Sequence, residues 1–353
     1  MSGPPKIHTI DFDLIWDKIA RKEPHATGCC NYPPLHVVGP LSGEHKNTII
    51  LLHGTSTDGP SFASSLLHFK FPSVLLYSMG VFETSLPQRF PHTRFIFPTG
   101  APRETTVFGG KVTNAWFDIH DFSDRTIGEH ESATGMRESF HFLSKLVEWE
   151  YERLRRVIDI ENRHDDNGKK EVPKVVIGGF SQGAAMALIC ALSRDENINL
   201  ARACCCLSGW LPFRRQILEA MEEYALKGEG WKAYSKKVGE AAANTILGML
   251  GAPKGPRMFG TDDGIEYLRG NFFLAHGMAD EKVKYEWGVE ARDVVMSLGA
   301  DYMFRDPPGS PFGVPKKNEL KVKWVSEEGL GHWYGAKEMQ KFVEYLEQPE
   351  ILG

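Results

Sequence analysis

The chain reads as an α/β protein: a mostly parallel, doubly wound sheet with helices on both faces. Three observations predict this. Runs of strand length are apolar without alternation, as in Thr48-Ile49-Ile50-Leu51-Leu52, and such runs suit a parallel sheet buried on both sides. Segments of helical period separate them. Finally, Gly179-Phe180-Ser181-Gln182-Gly183 lies between the run Val175-Val176-Ile177-Gly178 and the small-residue run Ala184-Ala185-Met186-Ala187-Leu188-Ile189. That order is strand, sharp turn, helix, with a serine at the turn.

Residues 1–46 are polar with scattered Pro and Gly, and predict an arm across the domain, with a short amphipathic helix over 13–21 using Leu14, Ile15 and Ile19. The domain proper is expected over 47–353. Residues 48–52 predict its first strand, ending in His53-Gly54-Thr55-Ser56-Thr57-Asp58-Gly59, and residues 94–97 predict another. From 132 to 158, Met136, Phe140, Leu143, Val147, Tyr151, Leu154 and Ile158 fall on one helical face. Glu129 and Glu131 before it, and Arg153, Arg155 and Arg156 in its last turns, match the helix dipole. Residues 162–170 predict a polar loop. His164-Asp165-Asp166-Asn167-Gly168 lacks the alternating ligands and closing glutamate of a calcium loop, and reads as a turn.

After the elbow helix, residues 201–208 predict a strand. Residues 213–269 form a long connection with helical pieces near 216–227 and 236–250, which suits a lid or an inserted subdomain. Residues 271–275 predict a strand, 285–297 a helix, and 302–318, with four prolines, a second irregular insertion. Residues 321–325 predict the last strand and 336–346 a closing helix.

Composition excludes several classes. Of 353 residues, 42% are apolar and 25% charged, as in an ordinary globular protein. Lys+Arg 41 against Asp+Glu 46 gives −5, with no basic excess toward nucleic acid. No stretch approaches the roughly 18 apolar residues of a membrane span, and no apolar segment of a secretory signal is visible. Six cysteines (Cys29, Cys30, Cys190, Cys204, Cys205, Cys206) lack C-x-x-C spacing. They read as reduced thiols in a cytoplasmic protein, with Cys29-Cys30 in a loop. No metal or cofactor is expected, and no feature fixes an oligomeric state.

A serine hydroxyl needs a base, and the base needs an orienting acid. In an α/β-hydrolase fold these follow in the order Ser, acid, His. After Ser181 only His276 and His332 remain. His332, in Gly329-Leu330-Gly331-His332-Trp333 after the last strand, is the expected base. His276 ends a strand and is expected to hold the acid loop. Asp280 is the expected acid; Glu281 is its neighbouring alternative, and Asp262 and Asp263 are weaker ones. Two backbone amides should receive the oxyanion: Gln182, directly after the serine, and Thr55, after His53-Gly54. His53 precedes the serine and is expected to shape its loop.

These pieces resemble the acyl-protein thioesterase branch of the phospholipase/carboxylesterase family of α/β-hydrolases. The matching stretches are Leu51-Leu52-His53-Gly54 with Asp58-Gly59, Phe97-Pro98 with Ala101-Pro102, Trp116-Phe117-Asp118-Ile119, Gly178-Gly179-Phe180-Ser181-Gln182-Gly183, Leu207-Ser208-Gly209-Trp210-Leu211-Pro212, His276-Gly277 with Asp280 and Val283, and Gly331-His332. The resemblance covers roughly two thirds of the chain. It implies a cofactor-independent hydrolase acting on an acylated protein or a small acyl ester, with at most transient contact with a membrane surface. It also implies Ser181, Asp280 and His332 as the triad, with Thr55 and Gln182 giving the oxyanion amides. The long arm, the insertions and the poorly matching residues 103–113 depart from the family pattern. Two other readings remain: an oxygen-ester carboxylesterase or lysophospholipase using the same site, and a non-catalytic receptor on the same fold. The complete Ser, acid, His order argues against the receptor.

Overall fold

The computed structural model describes residues 20–23, 31–74, 81–162, 171–193, 195–225, 231–251, 271–297 and 321–353. Twelve strands lie in chain order among them: β1 Ala20–Glu23, β2 Leu35–Val38, β3 Asn47–Leu52, β4 Phe71–Val74, β5 Val81–Thr84, β6 Thr93–Phe97, β7 Pro102–Thr105, β8 Lys111–Asn114, β9 Lys174–Phe180, β10 Ala203–Leu207, β11 Asn271–Gly277 and β12 Lys321–Glu327. The helices are α1 Gly59–Leu67, α2 Leu86–Arg89, α3 Glu129–Asn162, α4 Gln182–Ser193, α5 Arg214–Ala225, α6 Trp231–Leu250, α7 Tyr285–Ser297 and α8 Ala336–Leu346.

Eight strands form the central sheet in the order β1-β2-β6-β3-β9-β10-β11-β12. From β6 to β12 neighbours run parallel, while β1–β2 and β2–β6 are antiparallel. The apolar strand runs are explained by two cores. Ile49, Leu51, Val176 and Cys205 face a cluster containing α1 and α8 residues. Ile50, Leu52, Ile177 and Cys206 face the other, with α3, α4, α6 and α7. Successive side chains of a strand point to opposite faces, so neither face is left for polar residues. Each such aliphatic side chain stabilises the fold by about 2 kcal/mol relative to exposure.

Chain order puts the site where it is. After β3 the chain fills β6 on one side, then crosses back to β9 on the other. A crevice opens at such a reversal, beyond the carboxyl ends of the strands. The loop after β3 and the elbow after β9 meet there.

The expected arm needs correction. Residues 20–23 and 35–38 are strands of the central sheet, and Glu23 is tied to the core by Arg94 (Nη2–Oε2 2.5 Å) and Arg153 (Nη1–Oε2 3.3 Å). Arg21, the end of the expected helix, lies in β1; residues 13–19 lie outside the described ones. Helix α3 runs on through Asn162, where the loop was expected to begin, and 163–170 lie outside. So do residues 302–318, Cys29-Cys30, Asp262 and Asp263.

The described helices of the other insertion pack on the core. Ala242, Ile246, Leu247 and Leu250 of α6 join the cluster containing α3 and the elbow helix α4. Every residue of α4 is buried. A helix apolar all round needs such a cover. Among the described residues, no helix is long and apolar enough to cross a membrane.

Candidate active site

Ser181 sits one residue past β9 with φ +56°, in the left-handed region. Its N–H donates to Leu207 O at 2.9 Å, fixing the turn on β10. The flanking glycines are there for close approach. A β-carbon on Gly183 would stand 2.2 Å from Leu52 O, and one on Gly179 would stand 2.6 Å from the Gly183 carbonyl carbon. Only glycine lets β3, β9 and the start of α4 come so near.

His332 Nε2 lies 2.9 Å from Ser181 Oγ, and His332 Nδ1 lies 2.7 Å from Asp280 Oδ2. With the proton on Nδ1 donated to Asp280, Nε2 is free to accept the serine hydroxyl. Oδ1 of Asp280 accepts the amides of Lys282 at 2.9 Å and Val283 at 2.8 Å. Burial alone would push this carboxyl up. Hydrogen bonding from His276, His332 and the Val283 amide outweighs burial and holds it well below the usual carboxylate range. Glu281, the alternative acid, is exposed.

His276, in β11, is buried beside the acid loop. Its Nε2 donates to Val283 O at 2.8 Å and lies 3.4 Å from Asp280 Oδ2. The acid and histidine loops are also bonded to each other, Ala279 N to Leu330 O at 2.9 Å.

The loop after β3 is pinned on both sides of Thr55. The Trp116 indole donates to His53 O at 2.8 Å, and Ser56 N donates to Asn114 O at 3.1 Å. His53 Nδ1 donates to Gly54 O at 2.6 Å, while Nε2 accepts Gly100 N at 2.9 Å. Burial pushes its pKa down to about 4. A neutral ring with both nitrogens engaged shapes a loop and does not serve as a base. On the other side, the Gln182 amide opens α4, where the first N–H groups lack intrahelical acceptors. Its side chain accepts Trp116 N at 3.1 Å and donates to Phe117 O at 2.7 Å.

Sequence reasoning missed several contributors. Phe180 packs on His332, Trp333 and Tyr334, with centroids 4.9, 5.7 and 5.8 Å away, and Tyr334 OH lies 2.5 Å from Ser65 Oγ on α1. Arg125 reaches the acid loop through Lys282 O. The side chains of Trp116 and Gln182 brace the two amide loops against each other. Their motif strings were visible, but a string does not tell which atom its partner will be. Among the described residues, no group of three or more His, Cys, Asp or Glu could hold a metal ion.

Residues 35–227 match the phospholipase/carboxylesterase family. Acyl-protein thioesterase 1 of Yarrowia lipolytica is 23% identical over 90% of this chain and 97% of its own length. Acyl-protein thioesterase 1 homolog 1 of Dictyostelium discoideum is 27% identical over 80% and 91%. Acyl-protein thioesterase 1 of Saccharomyces cerevisiae is 30% identical over 40% and 50%. Among solved structures, Zea mays acyl-protein thioesterase 2 is 24% identical over 88% and 96%, with a TM-score of 0.45.

Proposed function

The chain belongs to the phospholipase/carboxylesterase family, and on that premise we propose that it hydrolyses acyl thioesters on protein cysteines through Ser181, His332 and Asp280. The observation that carries the reading is the unbroken line from Ser181 Oγ to His332 Nε2 at 2.9 Å and from His332 Nδ1 to Asp280 Oδ2 at 2.7 Å. Ser181 Oγ attacks the acyl carbonyl as His332 Nε2 takes its proton. The carbonyl oxygen becomes an oxyanion held by the amides of Thr55 and Gln182. The C–S bond breaks and the cysteine sulfur leaves with the proton from His332. Water, deprotonated by His332, then attacks the acyl-enzyme; Ser181 regains its proton and the fatty acid departs. Asp280 stays ionised throughout and keeps His332 in the required tautomer.

The names of the relatives favour acylated protein over a free ester. The acyl chain is assigned to the open groove beside the oxyanion loop, where Pro102, Phe108 and Val112 offer apolar surface among the polar Ser56, Lys111, Thr113 and Asn114. The same reading takes residues 47–353 with their insertions as one catalytic unit, its sheet extended by β1 and β2. A cytoplasmic setting is inferred from Cys190, Cys204, Cys205 and Cys206, which are buried and free among the described residues.

The test is a panel of acyl thioesters and matched oxygen esters of graded chain length. Ser181→Ala should lower kcat by about 10⁴-fold or more on all of them. A thioester preference in kcat/KM supports depalmitoylation; an oxygen-ester preference assigns a carboxylesterase instead. Fluorophosphonate labelling that persists in Ser181→Ala would remove the nucleophile assignment.

A further inference from the structure

Arg125 takes no part in the reaction just described, yet it is built into the back of the site. It lies in the loop after Trp116-Phe117-Asp118. Its guanidinium carbon stands 4.6 Å from the ring centre of Trp210, 5.0 Å from Phe122 and 5.6 Å from Trp287. Aromatic faces attract a cation held at these distances. Nη1 donates to Asp121 O at 3.0 Å and Nη2 to Lys282 O at 3.1 Å. Burial pushes its pKa down to about 10, against the pull of Asp121 and Asp280. The cage thus draws on three separate parts of the chain: the loop itself, the turn after β10 and helix α7.

The bond to Lys282 O matters because of what the same peptide unit does on its other side. The carbonyl of Lys282 and the N–H of Val283 belong to one peptide group. Arg125 holds the carbonyl end, and the N–H end donates to Asp280 Oδ1 at 2.8 Å. The next carbonyl, of Val283, is held by His276 Nε2 at 2.8 Å. A charged donor on a carbonyl polarises its peptide and strengthens the N–H as a donor. The amide that orients the acid is therefore both fixed in place and made a better donor by a cation outside the site.

Resting on the triad reading above, we propose that Arg125 is a positioning residue that sets Asp280 through the Lys282–Val283 peptide. Trp210, Phe122 and Trp287 hold the charge where a flexible side chain would otherwise wander. A neutral side chain of similar length keeps the packing but neither bolts nor polarises the peptide.

The experiment compares Arg125→Met and Arg125→Lys on a p-nitrophenyl acyl ester. Turnover is expressed per site titrated with a fluorophosphonate, so unfolded molecules do not count. Arg125→Met should lower kcat by about 10-fold, as a misplaced catalytic group does, with KM within about two-fold. Arg125→Lys keeps a caged cation and should recover most of the loss. Wild-type kcat in Arg125→Met overturns the proposal, as does an equal loss in both variants or a loss confined to KM. Ser181→Ala run alongside separates the failures: if it stays active, the triad reading has failed; if it is dead while Arg125→Met is unimpaired, only the role of Arg125 has.

Discussion

Ser181 occupies a backbone conformation that residues with a β-carbon rarely adopt, and the two glycines beside it make room for the neighbouring strand. Its partners are held by bonds that do no chemistry: His276 and Arg125 on carbonyls of the acid loop, Phe180 on the histidine ring, Trp116 on His53 O. One further residue is unusual at this scale. Glu338 in the first turn of α8 is fully buried. Burial pushes its pKa up to about 8; the Gly335 amide and Lys337 oppose this, while Glu327 and Asp280 add to it. The folded-state pKa is above the unfolded one, so the folded state holds the proton more tightly. The stability this gives is complete below the unfolded pKa of about 4.5 and is lost as pH rises through about 8. Glu338→Gln should remove that slope. Urea unfolding at about pH 5 and about pH 8 should show wild type losing on the order of 3 kcal/mol more than the variant over that span. Parallel profiles would mean the carboxyl is ionised in the folded protein.

Among the elements, the elbow helix α4 is the one whose surroundings differ most from expectation. Its run of small and apolar residues carries no polar stripe, and all twelve residues are buried. Helix α6 of the long insertion provides the cover, with Ile246 and Leu247 fully buried. A salt bridge from Arg214 to Glu290, N–O 3.0 Å, joins the start of α5 to α7. The length of the insertion suits a lid or an inserted subdomain, and the apolar face of α6 joins the core. Leu247→Ala should therefore cost about 3 kcal/mol of stability by leaving a cavity. Turnover per titrated site should stay within about two-fold of wild type, since no reacting group moves. A variant of normal stability with altered KM would overturn the covering role and assign α6 to a lid.

For the molecule as a whole, the antiparallel strands β1 and β2 extend the sheet on one side, and a buried ion cluster holds them there. Arg94 on β6 pairs with Glu150 of α3, Nε–Oε2 3.1 Å, and with Glu23 of β1. Arg94→Leu should destabilise by about 3 kcal/mol or more, because it strands the Glu150 carboxylate in the interior. Thermal or urea unfolding checks this, and adding Glu150→Leu should recover part of the loss. An unchanged midpoint in the single variant would show that the cluster contributes nothing. Strands β1 and β2 were not legible in the chain: each is only four residues long, too short to show a period. The central strands, the long helix and the elbow were legible, because burial on both faces, a 3.6 period and glycine spacing each leave a local pattern. So was the meeting of Ser181, Asp280 and His332 in one hydrogen-bonded line, because chain order maps onto strand ends in a parallel sheet. Arg125, Glu338 and the covering role of α6 were not. An ion's partner, a carboxyl's desolvation and the surface an apolar face meets depend on residues far away in sequence. The sequence by itself determined which groups reach the carboxyl ends of the strands. Packing between distant segments decided how firmly each is held, because only in the folded chain are those segments brought within bonding distance.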